Sequence, residues 1–380
     1  MQKKWGLVIL LCGVVSGFDA HAYETTARNA ILMDYDTGEY LFEKGITEAV
    51  PPASMSKLMT VYILMSKIKD GSIKLDDTFS VSENAWRKGG AATGGSTMFL
   101  SIGDNVSVEN LIKGIVIQSG NDACIVVAEN IAGSEEDFAV LMNKTAKELG
   151  LKNSSFANST GLPHPDQMMS MEDLAILSRH IIKEFPDLYH YFSEKEFTYN
   201  NIKQGNRNPL LYTMAGADGL KTGHTEEAGF CLDASAVKNG RRLIEVMSGM
   251  SSNKERSEEA ERLMSWGFRE FNNYKMFNKG QVIATAKVWY GQQKNVDLTV
   301  ADDVLKTIHL SKVDHVKSSV EFDEPIKAPI KAGQEVGKLK IEIEGQPTLE
   351  VPLVAAQNVN KVGLLGRFIA NVKYFVFGAK

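Results

Sequence analysis

Ser54 and Lys57, in the stretch "PPASMSKLMT", have the types and spacing for nucleophilic catalysis. A helix is expected from about Ser54 to Lys67. Residues three apart lie on one helical face, so the amine can reach the hydroxyl. An uncharged Lys57 would take the serine proton, and the helix N-terminus would favour negative charge developing there. Ser56 points elsewhere. The competing reading is structural, because serine is a favoured N-cap. About one Ser-x-x-Lys is also expected by chance at ordinary composition in a chain this long. A capping box, however, would put Glu or Gln where Lys57 stands. Lysine is normally charged, so burial or a second cation must depress its pKa. Lys221, in "DGLKTGHT", is the candidate second cation.

Two further stretches complete a set. "QSGND" places Ser119, Gly120 and Asn121 at a junction between helices, and "KTGHT" places Lys221, Thr222 and Gly223 just before or on a strand. Each alone has an ordinary explanation, a helix cap or a turn. Together and in this order they follow the Ser-x-x-Lys, Ser-Asp-Asn and Lys-Thr-Gly set of class A β-lactamases and penicillin-binding proteins, with Gly120 where that set has Asp. With "FANSTGLPHPDQ" and "GLKTGHTEEAGF", they make residues 23–272 resemble a serine D-alanyl-D-alanine carboxypeptidase, a low-molecular-mass penicillin-binding protein of the 5/6 type.

That resemblance implies roles. Ser54 would be the acylated nucleophile and Lys57 its proton acceptor. Ser119 would relay a proton toward the leaving D-alanine, and Asn121 would hold the substrate amide or position Lys57. Lys221 and Thr222 would bind the terminal carboxylate. Backbone amides of Ser54 and His224 would form the oxyanion hole. Gly223, lacking a side chain, would let substrate backbone lie against the strand edge. Arg207, in "GNRNPLLY", would add positive charge near the carboxylate or be a solvated surface arginine. The implied substrate is a peptidoglycan stem pentapeptide losing its terminal D-alanine, with β-lactams entering the same path and no cofactor.

Rival functions make different demands on the same residues. A class A β-lactamase would want Ser-Asp-Asn, where this chain has Ser-Gly-Asn, and a deacylating Glu-x-x-Leu-Asn loop that "MEDLAILS" does not supply. Endopeptidase activity on the same scaffold stays open, as does a non-catalytic cell-wall scaffold. The seven histidines show no metal-ligand spacing, so no metal is expected. A net charge of −5 without a basic block gives no reason to expect nucleic-acid binding. "WRKGGAATGGST", residues 86–97, reads as a glycine-rich loop but lacks the Gly-Lys-Ser/Thr ending of a phosphate loop.

The elements that must position these residues follow from periodicity. "ARNAILMDYDTGEYLFEKG" reads as strand, turn, strand. Helices follow; Ser134 caps one that Gly150 stops, and Ser170 caps another with Asp173 at capping-box spacing. Strands return after Leu220, with Lys238-Asn239-Gly240 as a hairpin turn. A long helix then runs from about 254 to 271. This order predicts an α+β fold of the β-lactamase/DD-peptidase-like kind, an antiparallel sheet from both chain ends flanked by helices, with an inserted helical lobe. Residues 273–358 read as a small all-β sandwich domain. In residues 359–380, Leu365, Phe368, Ile369, Val372, Phe375 and Val376 share one helical face, with Lys380 at the end. That pattern predicts an amphipathic helix lying on a membrane surface.

Residues 1–22 read as a signal peptide. Lys3 and Lys4 precede a short apolar run, and Ala20-His21-Ala22 supplies small cleavage residues. The mature chain would begin near Tyr23. Cys12 lacks the small preceding residue of a lipoprotein signal. Cys124 and Cys231 remain, and their spacing says nothing about pairing. The expected location is exported, peripheral on the periplasmic face of the inner membrane.

Overall fold

The structure, a computed structural model, describes residues 2–8 and 23–377. The described residues fall into two compact units, one within Ala22–Arg269 and one joining Gln2–Val8 to the chain from Glu270. Residues 9–22, which hold Cys12 and the expected cleavage site, lie outside the described residues, as does Lys380.

The first unit is built on a five-stranded antiparallel sheet. Its strands are β1 (Asn29–Asp34), β2 (Tyr40–Lys44), β3 (Ala217–Thr225), β4 (Gly229–Lys238) and β5 (Arg241–Met250), in the order β2-β1-β5-β4-β3. Two strands come from the start of the unit and three from its end, and β3 is an open edge. The β4–β5 turn carries Asn239 and Gly240 with positive φ, the conformation an Asn-Gly hairpin requires. Strand residues alternate between two faces. Leu232, Ala234, Leu243 and Met247 pack with Leu263 and Met264 of α7 (Asn253–Glu270). Ile31, Met33, Ile244 and Val246 face the larger helical core.

That core is threaded by α1 (Lys57–Lys69), α2 (Glu83–Gly89), α3 (Val108–Val116), α4 (Asn121–Ala132), α5 (Glu135–Glu148) and α6 (Met171–Glu184). Residues 121–128 of α4 are all buried, so it runs through the middle of the lobe rather than along its surface. The carboxylate of its Asp122 accepts from Thr97 Oγ1 at 2.6 Å and from the amides of Met98 at 2.8 Å and Leu100 at 3.1 Å. This pins the segment leading out of the glycine-rich loop against the start of α4.

Three expectations need correction. Residues 86–89 are helical, because Ser82 caps α2 by accepting from the Ala85 amide at 2.9 Å. The rest of the glycine-rich stretch is loop apart from a 3-10 turn at Ala91–Thr93. The helix expected from Ser54 begins as a 3-10 turn, Ala53–Ser56, and becomes α-helical at Lys57. Ser170 does cap α6, but Asp173 does not close a capping box. Its carboxylate accepts from the Lys152 and Asn153 amides and the Ser154 hydroxyl, tying down the loop before α6.

The second unit is β-rich. Strand Val316–Glu324 lies between Gln2–Val8 and Glu335–Ile343 in a seven-stranded sheet, and Phe271–Phe277 pairs with Val304–His309. Val320, Phe322, Leu339, Ile341 and Leu353 are among its core residues. The described residues end in α8 (Leu364–Phe377), on which Leu364, Leu365, Phe368, Val372 and Phe375 are exposed. No described helix is long and apolar enough to cross a membrane.

Candidate active site

The nucleophile turn is held from both sides. Ala53 adopts φ +49°, unusual for a residue with a Cβ. It lies against two glycines on separate segments. A Cβ on Gly161, whose φ is +76°, would overlap the Ala53 carbonyl oxygen. A Cβ on Gly223 would stand 3.0 Å from the Ala53 Cβ and 3.1 Å from the Pro52 oxygen. Gly223 therefore brings β3 against the nucleophile turn. Gly223 also lines the catalytic cleft. Ser54 lies inside the 3-10 turn, whose N-cap is Pro52, so it does not hold the cap position considered for it, and its hydroxyl accepts from Lys57 Nζ. Ser56 is buried and donates to the Ala53 carbonyl at 3.1 Å.

Lys57 is fully buried, and its Nζ lies 3.0 Å from Ser54 Oγ and 2.8 Å from Asn121 Oδ1. It also donates to the Thr160 carbonyl. Both protonation states fit this cage. As an ammonium, Lys57 has three hydrogens for three acceptors. As an amine, it gives two hydrogens to Asn121 and Thr160 and turns its lone pair to Ser54. The amine's pKa is pushed down to about 8, first by burial and then by the positive charge of Arg207. The sequence-based expectation placed Lys221 in that second role. Lys221 is 3% exposed and donates to the Thr222 carbonyl at 3.0 Å. Its own pKa is pushed well down, by burial first, then by Lys57 and Arg207. The two buried amines disfavour one another's charge.

The Thr160 carbonyl is itself positioned. Asn158 Oδ1 accepts from the Thr160 amide at 3.1 Å, the Thr160 hydroxyl at 2.9 Å and the Gly161 amide at 2.7 Å. The next residue back is held from α5, where Glu135 accepts from the Ser159 hydroxyl at 2.9 Å.

These groups open on a cleft of about 360 Å³ whose lining includes Ser54, Ser119, Asn121, Arg207, Thr222 and His224. Ser119 has φ +61° and turns the chain from α3 into α4, placing Asn121 at the start of that helix. Arg207 is an exposed residue at the mouth of the cleft. It lines the cleft and donates to Ser96 Oγ at 2.6 Å, and partial desolvation lowers its pKa. Arg256, from the helix Asn253–Glu270, joins it. Burial, then Arg207, lowers its pKa to about 10, although the Cys231 thiol pulls the other way, and its Nε has no partner. Two guanidinium groups and Lys221 thus concentrate positive charge at one end of the cleft, a natural seat for a carboxylate.

All nine residues expected from sequence fall in or beside this cleft. Arg256 and Ser96 carry no signal in the sequence, and the stretch "FANSTGLPHPDQ", which holds Asn158–Thr160, gives no sign that its turn cages Lys57. Arg256 sits in the charged run "KERSEEAER", where nothing marks one arginine as special, and a main-chain carbonyl leaves no residue signature at all. Cys124 and Cys231 are buried free thiols, and burial raises the pKa of Cys124 to about 12.

Comparison with known proteins adds an independent line. Residues 16–252 match the family described as D-alanyl-D-alanine carboxypeptidase, and residues 271–361 match the C-terminal domain of penicillin-binding protein 5. The chain is 41% identical over 344 residues to the D-alanyl-D-alanine carboxypeptidase DacC of Escherichia coli (strain K12), covering 90% of this chain and 86% of that protein. Its fold is similar to penicillin-binding protein 5 from Haemophilus influenzae, with a TM-score of 0.83, 37% identity, and coverage of 90% of this chain and 100% of that one. It is also similar to penicillin-binding protein D2 from Listeria monocytogenes in its ampicillin-bound form, with a TM-score of 0.57 and 27% identity, over 66% of this chain and 100% of that one.

Proposed function

The chain belongs to the D-alanyl-D-alanine carboxypeptidase family, and from that premise we propose which of its residues perform the reaction. The enzyme is a serine-type hydrolase that removes the terminal D-alanine from peptidoglycan stem peptides. In the proposed cycle Ser54 Oγ gives its proton to Lys57 Nζ and attacks the carbonyl between the two D-alanines. Amides of Ser54 and His224 hold the oxyanion, a contribution of about 2.7–4 kcal/mol for each donor in comparable sites. The proton passes through Ser119 to the leaving nitrogen, D-alanine departs, and water cleaves the ester on Ser54. Asn121 holds Lys57 in line. Lys221, Thr222, Arg207 and Arg256 receive the substrate's carboxylate. A β-lactam follows the same path, but its opened ring keeps the leaving nitrogen tethered.

The observation that carries this reading is the buried Lys57 amine 3.0 Å from Ser54 Oγ, with its pKa lowered to about 8. Incubation with a stem pentapeptide is expected to release one D-alanine per peptide. Incubation with benzylpenicillin is expected to leave one covalent adduct, on the proteolytic fragment that contains Ser54. An adduct on any other fragment, or none, overturns the assignment.

We further propose that residues 1–22 direct export and are removed, and that α8 rests on the outer face of the cytoplasmic membrane. The support is the basic-then-apolar start of the chain and the exposed apolar residues of α8. The exported protein should begin near Tyr23 and sediment with lipid vesicles. A form ending at Lys361 should stay in the supernatant; its sedimentation with vesicles would sink the α8 proposal.

A further inference from the structure

Asp122 follows Asn121 on α4, is fully buried, and has no part in the reaction cycle. Both of its carboxylate oxygens accept. Oδ1 takes the Met98 amide at 2.8 Å and the Ala123 amide at 2.9 Å, and Oδ2 takes the Thr97 hydroxyl at 2.6 Å and the Leu100 amide at 3.1 Å. All but the Ala123 amide belong to one short segment, residues 97–100. Burying a carboxylate is costly unless donors surround it, so the acid holds the segment as firmly as the segment holds the acid. The same segment is gripped from its other side by the hairpin of Glu196–Tyr199 and Ile202–Gly205. Gln204 Nε2 donates to the Thr97 carbonyl at 3.0 Å, and Asn200 Nδ2 donates to the Phe99 carbonyl at 3.2 Å. Phe99 has φ +63°, a conformation that a residue with a Cβ keeps only where its surroundings impose it.

Ser96 is the residue this clamp presents. Its carbonyl accepts the Asn121 amide at 2.8 Å, and its hydroxyl accepts from the Arg207 guanidinium at 2.6 Å. One serine thus touches both Asn121, which holds Lys57, and Arg207, which stands at the carboxylate seat. Arg207 is exposed, and a long exposed side chain keeps one direction only where something fixes its head group. Ser96 supplies that fixed point. We propose that Asp122 is a positioning residue for substrate recognition: by clamping residues 97–100 to the start of α4 it sets Ser96, and through Ser96 it aims the Arg207 guanidinium at the substrate's carboxylate. The proposal rests on the carboxypeptidase reading and adds to it the device that orients the carboxylate seat. An asparagine cannot take over. It has one accepting oxygen, and its amide group would turn N–H toward the N–H of Met98 or Leu100. The segment would shift and Arg207 would lose its anchor, while Lys57 keeps its contacts to Ser54 and Thr160.

The test compares benzylpenicillin with its methyl ester, two probes that differ in the charge of one group. The second-order rate of acylation of Ser54 is followed for each by intact mass. A general loosening of the fold lowers both rates together, whereas a misdirected Arg207 lowers the ratio of acid to ester. The wild-type ratio should exceed about ten. Asp122→Asn should lower it about fivefold, the size expected of an exposed charged contact. Ser96→Ala should do the same with little change in melting temperature. In an Arg207→Gln background, Asp122→Asn should move the ratio by less than about twofold, because a residue that acts through Arg207 has nothing left to aim. A ratio unchanged by Asp122→Asn, or lowered as far in the Arg207→Gln background, overturns the proposal and leaves the carboxypeptidase reading intact. Should Asp122→Asn fail to fold, Thr97→Val decides. It removes one donor, keeps the shape, and should lower the ratio at least about twofold; no fall overturns the proposal. No adduct from either probe on the wild-type protein would instead overturn the carboxypeptidase assignment, and this proposal with it.

Discussion

Lys57→Met is expected to lower the second-order rate of acylation by a β-lactam about 10⁴-fold, the upper end for loss of a general base, while the melting temperature moves by only a few degrees. The activity side follows from the lowered pKa. At pH 7 an amine with a pKa of about 8 is about 10% neutral, against about 0.03% at the ordinary 10.5, roughly a 300-fold gain in the reactive form. Methionine fills the volume but carries no lone pair that can take a proton. The stability side is a near balance. Depressing the pKa from 10.5 to about 8 corresponds to about 3 kcal/mol of burial cost carried by the charged form. Methionine removes that cost but leaves Asn121 Oδ1 and the Thr160 carbonyl without their donor, at about 1–3 kcal/mol each.

The same lysine fixes two pH dependences. Acylation should rise with pH through about 8 and then level off, because only the neutral amine accepts the proton. Folding stability should also rise with pH, for a related reason. Between about 8 and 10.5 the unfolded chain holds a proton on Lys57 that the folded chain has released, so stability increases across that window. Below about 8 the burial cost is present in full. Lys221 adds slope of the same sign, so Lys57→Met should flatten the dependence without abolishing it. A wild-type acylation rate that falls from pH 7 to 9 would contradict the neutral-amine mechanism.

Gly161→Ala should lower acylation at least about 100-fold and destabilise the fold by about 3 kcal/mol, within the range for backbone strain combined with steric conflict. The left-handed φ of +76° alone costs an alanine about 1 kcal/mol. The larger part comes from overlap with the Ala53 carbonyl and the Ser56 hydroxyl. A main-chain oxygen cannot swing aside like a side chain, so the loop must retreat. Retreat withdraws the Thr160 carbonyl from Lys57 and loosens the turn under Ser54. Gly150→Ala is the matched control. Its φ is +75°, and nothing lies within 4 Å of its added Cβ. It should cost about 1 kcal/mol and leave acylation as it was. Similar acylation rates in the two variants would show that the contact at Ala53 does not govern reactivity.

The residues that carry chemistry were legible in the sequence because their signal is local. Ser54 and Lys57 need only helical spacing to meet, and Lys221-Thr222-Gly223 needs only to lie on a strand. The sheet was legible because β1, β4 and β5 alternate, and because Asn239-Gly240 can turn in few ways. What escaped has no local signal. Burial, which dominates the state of Lys57, depends on how α4 and the Thr160 turn close over it. The contact partner of Gly223 depends on which segment packs against β3. Arg256 reaches the cleft only because its helix crosses the sheet where Phe230 and Cys231 face it. Asp173 had the spacing of a capping box, yet a nearby loop offered its carboxylate more donors than the helix end did.

The wedging of Ala53 between Gly161 and Gly223 has a consequence for how the protein matures. The serine acquires its reactivity from three stretches of chain that lie far apart in sequence and meet only when the lobe and the edge strand have both assembled. A nascent or half-collapsed polypeptide is therefore chemically silent. Labelling by a penicillin counts only finished molecules, and an antibiotic gains no foothold on the chain before its last strands are in place.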